Sequence, residues 1–325
     1  MNITRFTAAA LGLASLLGAH AAGAQPYPSK PITLIVPFAA GASADGIARV
    51  LAKDMSASLG QPVVVENKPG GGGAVGLMMV SHTKPDGYTL GMGATGAIAV
   101  NPHRPGASPL KPEQDLTPVA KLANIPLVMI AGKSTGYASL KDLIQKAKQH
   151  PAEPLIYGTP GQYTAQHLSG ELVGEMAGIK MSAVPYRGSG PAVSDVLGGQ
   201  IGLAVVDLTS AYPHVKAGAL VALGVTSAQR TKVAPDLPTL AESGLPGYDA
   251  PAWMGLFGPA QLPPDIAGKI ADAVRDALAK PAVQQQVIGL AAEPDYADAA
   301  QFAAFTHAES ERWGKLLQSI SAPRN

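Results

Sequence analysis

The chain has 325 residues, with 24 lysines and arginines against 23 aspartates and glutamates, no cysteine and only 14% charged residues. Without a basic run it has no grip for nucleic acid or an anionic membrane surface, and without cysteine it has no disulfide, thiolate metal site or cysteine nucleophile. Glycine (37) and proline (29) are abundant, which suits an α/β protein with short connections, and the length allows two domains or one large one.

Arg5 precedes an apolar run from Ala8 to Leu17, and small residues then lead to Ala22-Gly23-Ala24. That is the pattern of a secretory signal peptide over residues 1–24. The run is far shorter than the roughly 20 residues that span a bilayer as a helix, and no later apolar stretch is long enough either. Loss of Arg5 leaves 23 basic against 23 acidic residues, a formal charge of zero. The mature chain is therefore expected to be exported, and nucleotide-dependent chemistry is not expected of it.

Ile32 to Val36 is a continuous apolar and β-branched run, the mark of a strand buried on both faces. From Ser43 to Leu59 the pattern turns helical, with Ile47, Val50, Leu51 and Met55 on one face. Val63-Val64-Val65 is a second strand, Pro69 to Gly73 a turn, and Val75, Met78 and Met79 mark a helix before a strand opening at Tyr88. Asn101 to Pro118, rich in proline and polar residues, reads as a long connection.

A second series begins at Leu127-Val128-Met129-Ile130. A helix over Leu140–Gln149 precedes a strand at Leu155–Tyr157, and a turn from Gly158 to Gly161 leads into a helix carrying Leu168, Leu172 and Met176. A strand at Ala183–Tyr186, a helix at Pro191–Leu197, a strand from Leu203 ending at Asp207, and a strand at Val221–Val225 complete the set. After Pro246-Gly247 come a final strand, Trp253–Phe257, and three helices, Asp265–Leu278, Val283–Leu290 and Ala299–Ile320. Such alternation predicts an α/β fold of mainly parallel sheets flanked by helices. The two series predict two lobes, over 25–126 with 246–325 and over 127–245, with the last helices returning to the first lobe.

Gly71 to Gly76 satisfies G-x-G-x-x-G, but no acidic residue stands about 20 positions on, as dinucleotide binding requires. Gly132-Lys133-Ser134-Thr135 imitates the end of a phosphate-binding loop, yet Leu127 occupies the position that needs glycine. No serine lies within G-x-S-x-G, and the seven histidines have no metal-ligand spacing. No cofactor, metal or catalytic residue is predicted.

Three turns remain, each after a strand and before a helix: Ala39–Asp45, Gly158–Thr164 and Tyr186–Pro191. Helix starts offer free N–H groups and a partial positive charge, which suit a carboxylate or phosphate. Ser43, Thr159, Thr164 and Ser189 add hydroxyl donors. One such turn alone is only a capped helix start. Several together, at the strand ends where open α/β sheets bind ligands, point to binding rather than turnover.

The succession Ile32–Asp45, Glu66–Gly72, Lys84–Tyr88, Val184–Gly188, Leu197–Gln200 and Leu245–Tyr248 resembles the Bug family, the periplasmic substrate-binding receptors of tripartite tricarboxylate transporters. The resemblance covers essentially all of the mature chain. It implies a two-lobed type II periplasmic-binding-protein fold with a ligand cleft between the lobes. It also implies a small organic carboxylate or dicarboxylate, held by backbone amides, hydroxyls and ordered water. Carried over by position, the first-lobe contacts are Phe38, Ala40, Gly41, Ser43 and Asp45. In the second lobe they are Thr159, Gly161, Tyr163 and Thr164, then Tyr186, Arg187, Gly188 and Ser189, with Asp207 at a strand mouth. The chain departs from the family's usual paired glycines at Ala42, and Asn101–Leu116 lacks the aromatic segment frequent there.

The resemblance therefore implies a monomeric receptor that hands its ligand to membrane transporter components. A ligand sensor for a signalling partner would use the same cleft, and uptake after deletion of the membrane components separates the two. A periplasmic hydrolase or lyase is a further alternative, set apart by turnover of the bound acid.

Overall fold

The computed structural model describes residues 26–321 except 105, 107 and 108, so the expected signal segment 1–24 lies outside the described residues. The first series gives β1 (Ile32–Val36), α1 (Ser43–Leu59), β2 (Val63–Asn67), α2 (Ala74–Ser81), β3 (Thr89–Ala94) and β4 (Leu116–Ile125). The second gives β5 (Leu127–Gly132), α3 (Leu140–Gln149), β6 (Leu155–Thr159), α4 (Ala165–Ala177), β7 (Met181–Pro185), α5 (Ser189–Leu197), β8 (Leu203–Asp207), α6 (Leu208–Lys216) and β9 (Leu220–Val225). The chain ends with β10 (Ala252–Pro259), α7 (Pro264–Leu278), α8 (Pro281–Gly289), β11 (Glu293–Ala297) and α9 (Ala299–Ser321).

Two sheets result, in the order β11-β4-β10-β3-β1-β2 and β7-β6-β8-β5-β9. The two-lobed α/β architecture is the expected one, but the sheets are mixed rather than mainly parallel. β1 pairs parallel with β2 and β3, and β6 with β7 and β8. β10 lies antiparallel between β3 and β4, β5 antiparallel between β8 and β9, and β11 antiparallel to β4. The reason is how the chain crosses. Only Pro126 separates β4 from β5, so β5 enters the second sheet with no helical crossover to reverse it. β10 follows a long connection from β9, but β9 ends on the side where β10 begins, so β10 enters the first sheet opposed to β3 and β4. A parallel neighbour needs a crossover of a dozen or more residues.

Two strands were not expected. β4 begins inside the proline-rich stretch read as a connection, of which Asn101–His103 and Pro112–Asp115 form single helical turns. β11 has the polar sequence Glu-Pro-Asp-Tyr-Ala and is only partly buried along its length. It is an edge strand, where proline is tolerated because one row of N–H groups faces away from the ladder.

In α1, Ile47, Leu51 and Met55 are at most 2% exposed and pack with Ile32, Leu34 and Val36 of β1 in one core. α7 and α9 both pack against β4 of the first sheet, and α9 also reaches the second sheet's α4, where Ser319 Oγ donates to Glu175 Oε2 at 2.8 Å. Behind the cleft, Glu309 Oε2 accepts the indole N–H groups of both Trp253 and Trp313 at 3.0 Å. That buried junction of β10 and α9 backs the site with rigid packing.

Candidate functional site

The strand directions set the site. β1, β3, β4, β6, β7 and β8 all end at the gap between the sheets, and β10 begins there; a cavity of about 500 Å³ occupies it.

From the first lobe, the loop after β1 delivers Phe38, Ala42 and Ser43 to the cavity wall. No side chain caps α1, whose N-cap is Ala42 in extended conformation, so its first N–H groups stay available. The loop is held from below by Asp45. Its Oδ2 accepts the Gly41 N–H at 3.0 Å and the Arg49 Nε–H at 3.1 Å, and its Oδ1 accepts from Asn67 Nδ2 at 2.9 Å. Asn67 Nδ2 also donates to Phe38 O at 3.1 Å. The Arg49 hydrogen bond, helped by the Gly41 and Asn67 donors against the cost of burial, lowers the Asp45 pKa to about 2.

The second lobe contributes three strand ends. After β6, Thr164 caps α4 by accepting the His167 N–H at 3.2 Å, while its hydroxyl donates to Gly161 O at 2.8 Å. Tyr163 has φ +59° and donates its N–H to His167 Nδ1 at 3.0 Å. Burial lowers the His167 pKa to about 4, so the ring is neutral and Nδ1 is free to accept. After β7, Gly188 has φ +132° and α5 starts without a side-chain cap. Ser189 Oγ donates to Asp207 Oδ2 at 2.8 Å, and Gln166 Nε2 to Asp207 Oδ1 at 2.7 Å. Burial pushes the Asp207 carboxyl up, and these two hydrogen bonds oppose it.

Of the fourteen residues expected at the site, Phe38, Ser43, Tyr163 and Thr164 line the cavity, as do Arg187, Gly188, Ser189 and Asp207. Six do not. Gly41 and Asp45 form the staple under the first loop, and Ala40 lies between wall residues without joining them. Thr159 is fully buried and donates to Gly161 O at 3.0 Å, so both serve the turn itself. Tyr186 turns away to donate its hydroxyl to Asp195 Oδ2 at 2.7 Å, and its pKa rises to about 12 through burial and that carboxylate. The arginine ion pairs among the described residues are made by Arg49, Arg230, Arg275 and Arg312, and none by Arg187.

Sequence reasoning missed Thr95, Asn101, Ile125 and Met254, along with the wall glutamines Gln162 and Gln166. Thr95 Oγ1 accepts the Trp253 N–H at 2.9 Å, which ties the end of β3 to the start of β10. The two glutamines lay inside or beside a turn already singled out. The other four had no motif; Thr95, Ile125 and Met254 stand where strands end or begin at the cleft, and Asn101 opens a helical turn in the stretch read as a connection. Among the described residues no group of His, Asp and Glu is arranged to hold a metal ion, and no helix is long and apolar enough to cross a membrane.

Two lobes of mixed sheet, crossed by β4–β5 and β10, with uncapped helix starts at a shared cleft, define a two-lobed α/β binding-protein fold. The chain belongs to the tripartite tricarboxylate transporter family receptor group, whose family model matches residues 47–322. It is 34% identical to the protein BugT of Bordetella pertussis over 324 residues, 99% of both chains. Among solved structures, Rhodopseudomonas palustris Rpa4515 with adipate superposes with a TM-score of 0.80 at 32% identity, covering 91% of this chain and 98% of that one. MatC from Rhodopseudomonas palustris with bound malate superposes with a TM-score of 0.76 at 31% identity, covering 89% and 99%.

Proposed function

We propose that the chain is an extracytoplasmic receptor that binds a small organic carboxylate or dicarboxylate and delivers it to the membrane components of a tripartite tricarboxylate-type transporter. One observation carries this reading: the uncapped starts of α1 and α5 open on the same cavity, beside the Ser43 and Ser189 hydroxyls. Their free N–H groups and aligned dipoles favour an anion. Structural neighbours above 30% identity with adipate and malate support a carboxylate as that anion.

In this reading the wall residues Phe38, Ser43, Thr164, Gly188 and Ser189 contact the ligand, with Tyr163, Arg187 and Asp207 fixing its body and charge. Ala40, Gly41, Asp45, Thr159, Gly161 and Tyr186 hold the loops in place. The lobes span 25–126 with 246–325, and 127–245. Export through residues 1–24, residence in the periplasm, a monomeric state and the absence of turnover belong to the same proposal. Calorimetric titration of the mature chain with mono- and dicarboxylates tests it, with native mass spectrometry for a co-purified acid. Binding without loss of the acid is the expected result. No heat of binding with any carboxylate, or consumption of the acid, would refute it.

A further inference from the structure

The cavity wall combines few formal charges with several large apolar side chains. Its formal charges are one cation, Arg187, and one anion, Asp207, so their net charge is zero. Asp207 is held by Ser189 and Gln166, with no cation in its hydrogen-bonding set. A second ligand carboxylate placed near it meets a like charge. Phe38, Ile125, Tyr163 and Met254 supply apolar wall instead. The cavity has a volume of about 500 Å³.

Tyr163 is the telling residue. It is the only non-glycine residue of the cavity wall, among those described, with its backbone in the left-handed region. The other wall positions with such a backbone, Gly72 and Gly188, are glycines. A side chain is strained there and persists only where its surroundings over-determine it. Those surroundings come from both lobes. The Tyr163 N–H is bound to His167 Nδ1, and the His167 ring stands edge-on with centroids 5.9 Å apart. From the first lobe, the Arg104 guanidinium lies over the Tyr163 ring at 5.5 Å from its centroid. The Tyr163 carbonyl packs on Gly96, where an added Cβ would sit 3.3 Å away. The ring is therefore a fixed part of the wall.

We infer that the cleft selects carboxylates with an aromatic body, and that Tyr163 sets this preference by presenting a locked ring to the ring of the ligand. The inference rests on the carboxylate-receptor reading and narrows it to one ligand class. The ligand carboxylate lies at the helix starts, and its planar body lies among Tyr163, Phe38 and Met254.

Calorimetry with benzoate, terephthalate, malate and adipate, on the wild type, Tyr163→Gly and Tyr163→Phe, decides the matter. Glycine accepts the left-handed backbone without strain, so Tyr163→Gly keeps the turn while removing the ring; an undiminished Tm confirms that it folds. At least one aromatic acid is expected to bind about tenfold more tightly than malate or adipate. Tyr163→Gly should weaken the aromatic acid by roughly five- to tenfold, the worth of an aromatic pair, and the aliphatic acids by a clearly smaller factor, so that the preference between the two classes shrinks. Tyr163→Phe should retain the preference. Tightest binding of malate or adipate would overturn the inference while leaving the receptor reading intact. Equal losses for both classes in Tyr163→Gly would also overturn it, since the residue would then act only on the turn. Binding of none of the four acids would overturn the inference, and the carboxylate reading falls with it only if the wider calorimetric series of mono- and dicarboxylates also gives no heat.

Discussion

Asp45→Ala tests whether the first loop is built from beneath. The carboxylate is 4% exposed and accepts from Gly41, Arg49 and Asn67, at 3.0, 3.1 and 2.9 Å. The variant does not forfeit all three bonds in full. Arg49 is half exposed and regains water, so its share is screened, while Asn67 keeps its bond to Phe38 O. What is lost outright is the charge-assisted bond to Gly41 and part of the bond to Asn67. Hydrogen bonds to charged groups contribute about 1.5–3 kcal/mol each, so a net loss of roughly 2–3 kcal/mol is expected. For a chain of this size that is a fall in Tm of about 3–5 °C. The pH dependence carries a second signature. Because the folded pKa is about 2 against an ordinary value of 3.8, the carboxylate stabilises the fold above about pH 4, and that share is lost as the pH falls towards 2. The wild type should therefore lose its advantage over Asp45→Ala across that window. Differential scanning calorimetry between pH 2 and 7 measures the stability, and titration with a confirmed ligand measures the loop. A Tm within 1 °C of wild type at pH 7, with unchanged affinity, would refute the argument.

Arg187→Ala should weaken a dicarboxylate by about 1.5–3 kcal/mol, as loss of a charge-assisted contact, and its monocarboxylate analogue much less; equal, near-zero changes in calorimetry would place Arg187 outside the site. Two-lobed binding proteins close on their ligand by a hinge motion, and Gly96→Val would add a Cβ 3.3 Å from Tyr163 O and further bulk beyond it, so closure of the lobes should cost about 1–3 kcal/mol more and ligand binding should weaken accordingly. Small-angle scattering under saturating ligand should then show a larger radius of gyration than wild type, and an identical one would count against closure at this contact. His167 has a folded pKa of about 4, below its ordinary 6.5, so the unfolded chain binds its proton first. Stability is therefore lost as the pH falls from 6.5 towards 4, by about 3 kcal/mol. His167→Asn, which keeps an acceptor for the Tyr163 N–H, should flatten that part of the profile in thermal melts, and an unchanged slope would exclude His167 as its source.

The elements that were legible in the sequence are those whose pattern is local. The β-branched run of β1, the apolar stripe of α1 at Ile47, Leu51 and Met55, and the glycine-rich turns before α1, α4 and α5 each announce themselves within a short window. Those turns drew attention to Ser43, Thr164, Arg187 and Ser189, and the family resemblance added Phe38; the fold brings all five to one cavity. Which way each turn residue faces was not local information. Thr159 and Tyr186 carry the right chemistry in the right turns, yet one hydroxyl closes the turn on Gly161 and the other binds Asp195.

Strand direction and pairing needed the tertiary structure. Nothing in Leu127–Gly132 or Ala252–Pro259 says that these strands cross between lobes and lie antiparallel, because side-chain periodicity is the same in either direction. β11 is held by pairing with Asn124, Ala123 and Lys121 of β4, about 170 residues away in sequence, and not by any apolar pattern of its own. Thr95, Ile125 and Met254 reach the cleft for the same reason. They stand where strands from distant parts of the chain end or begin side by side, a proximity that only long-range pairing creates.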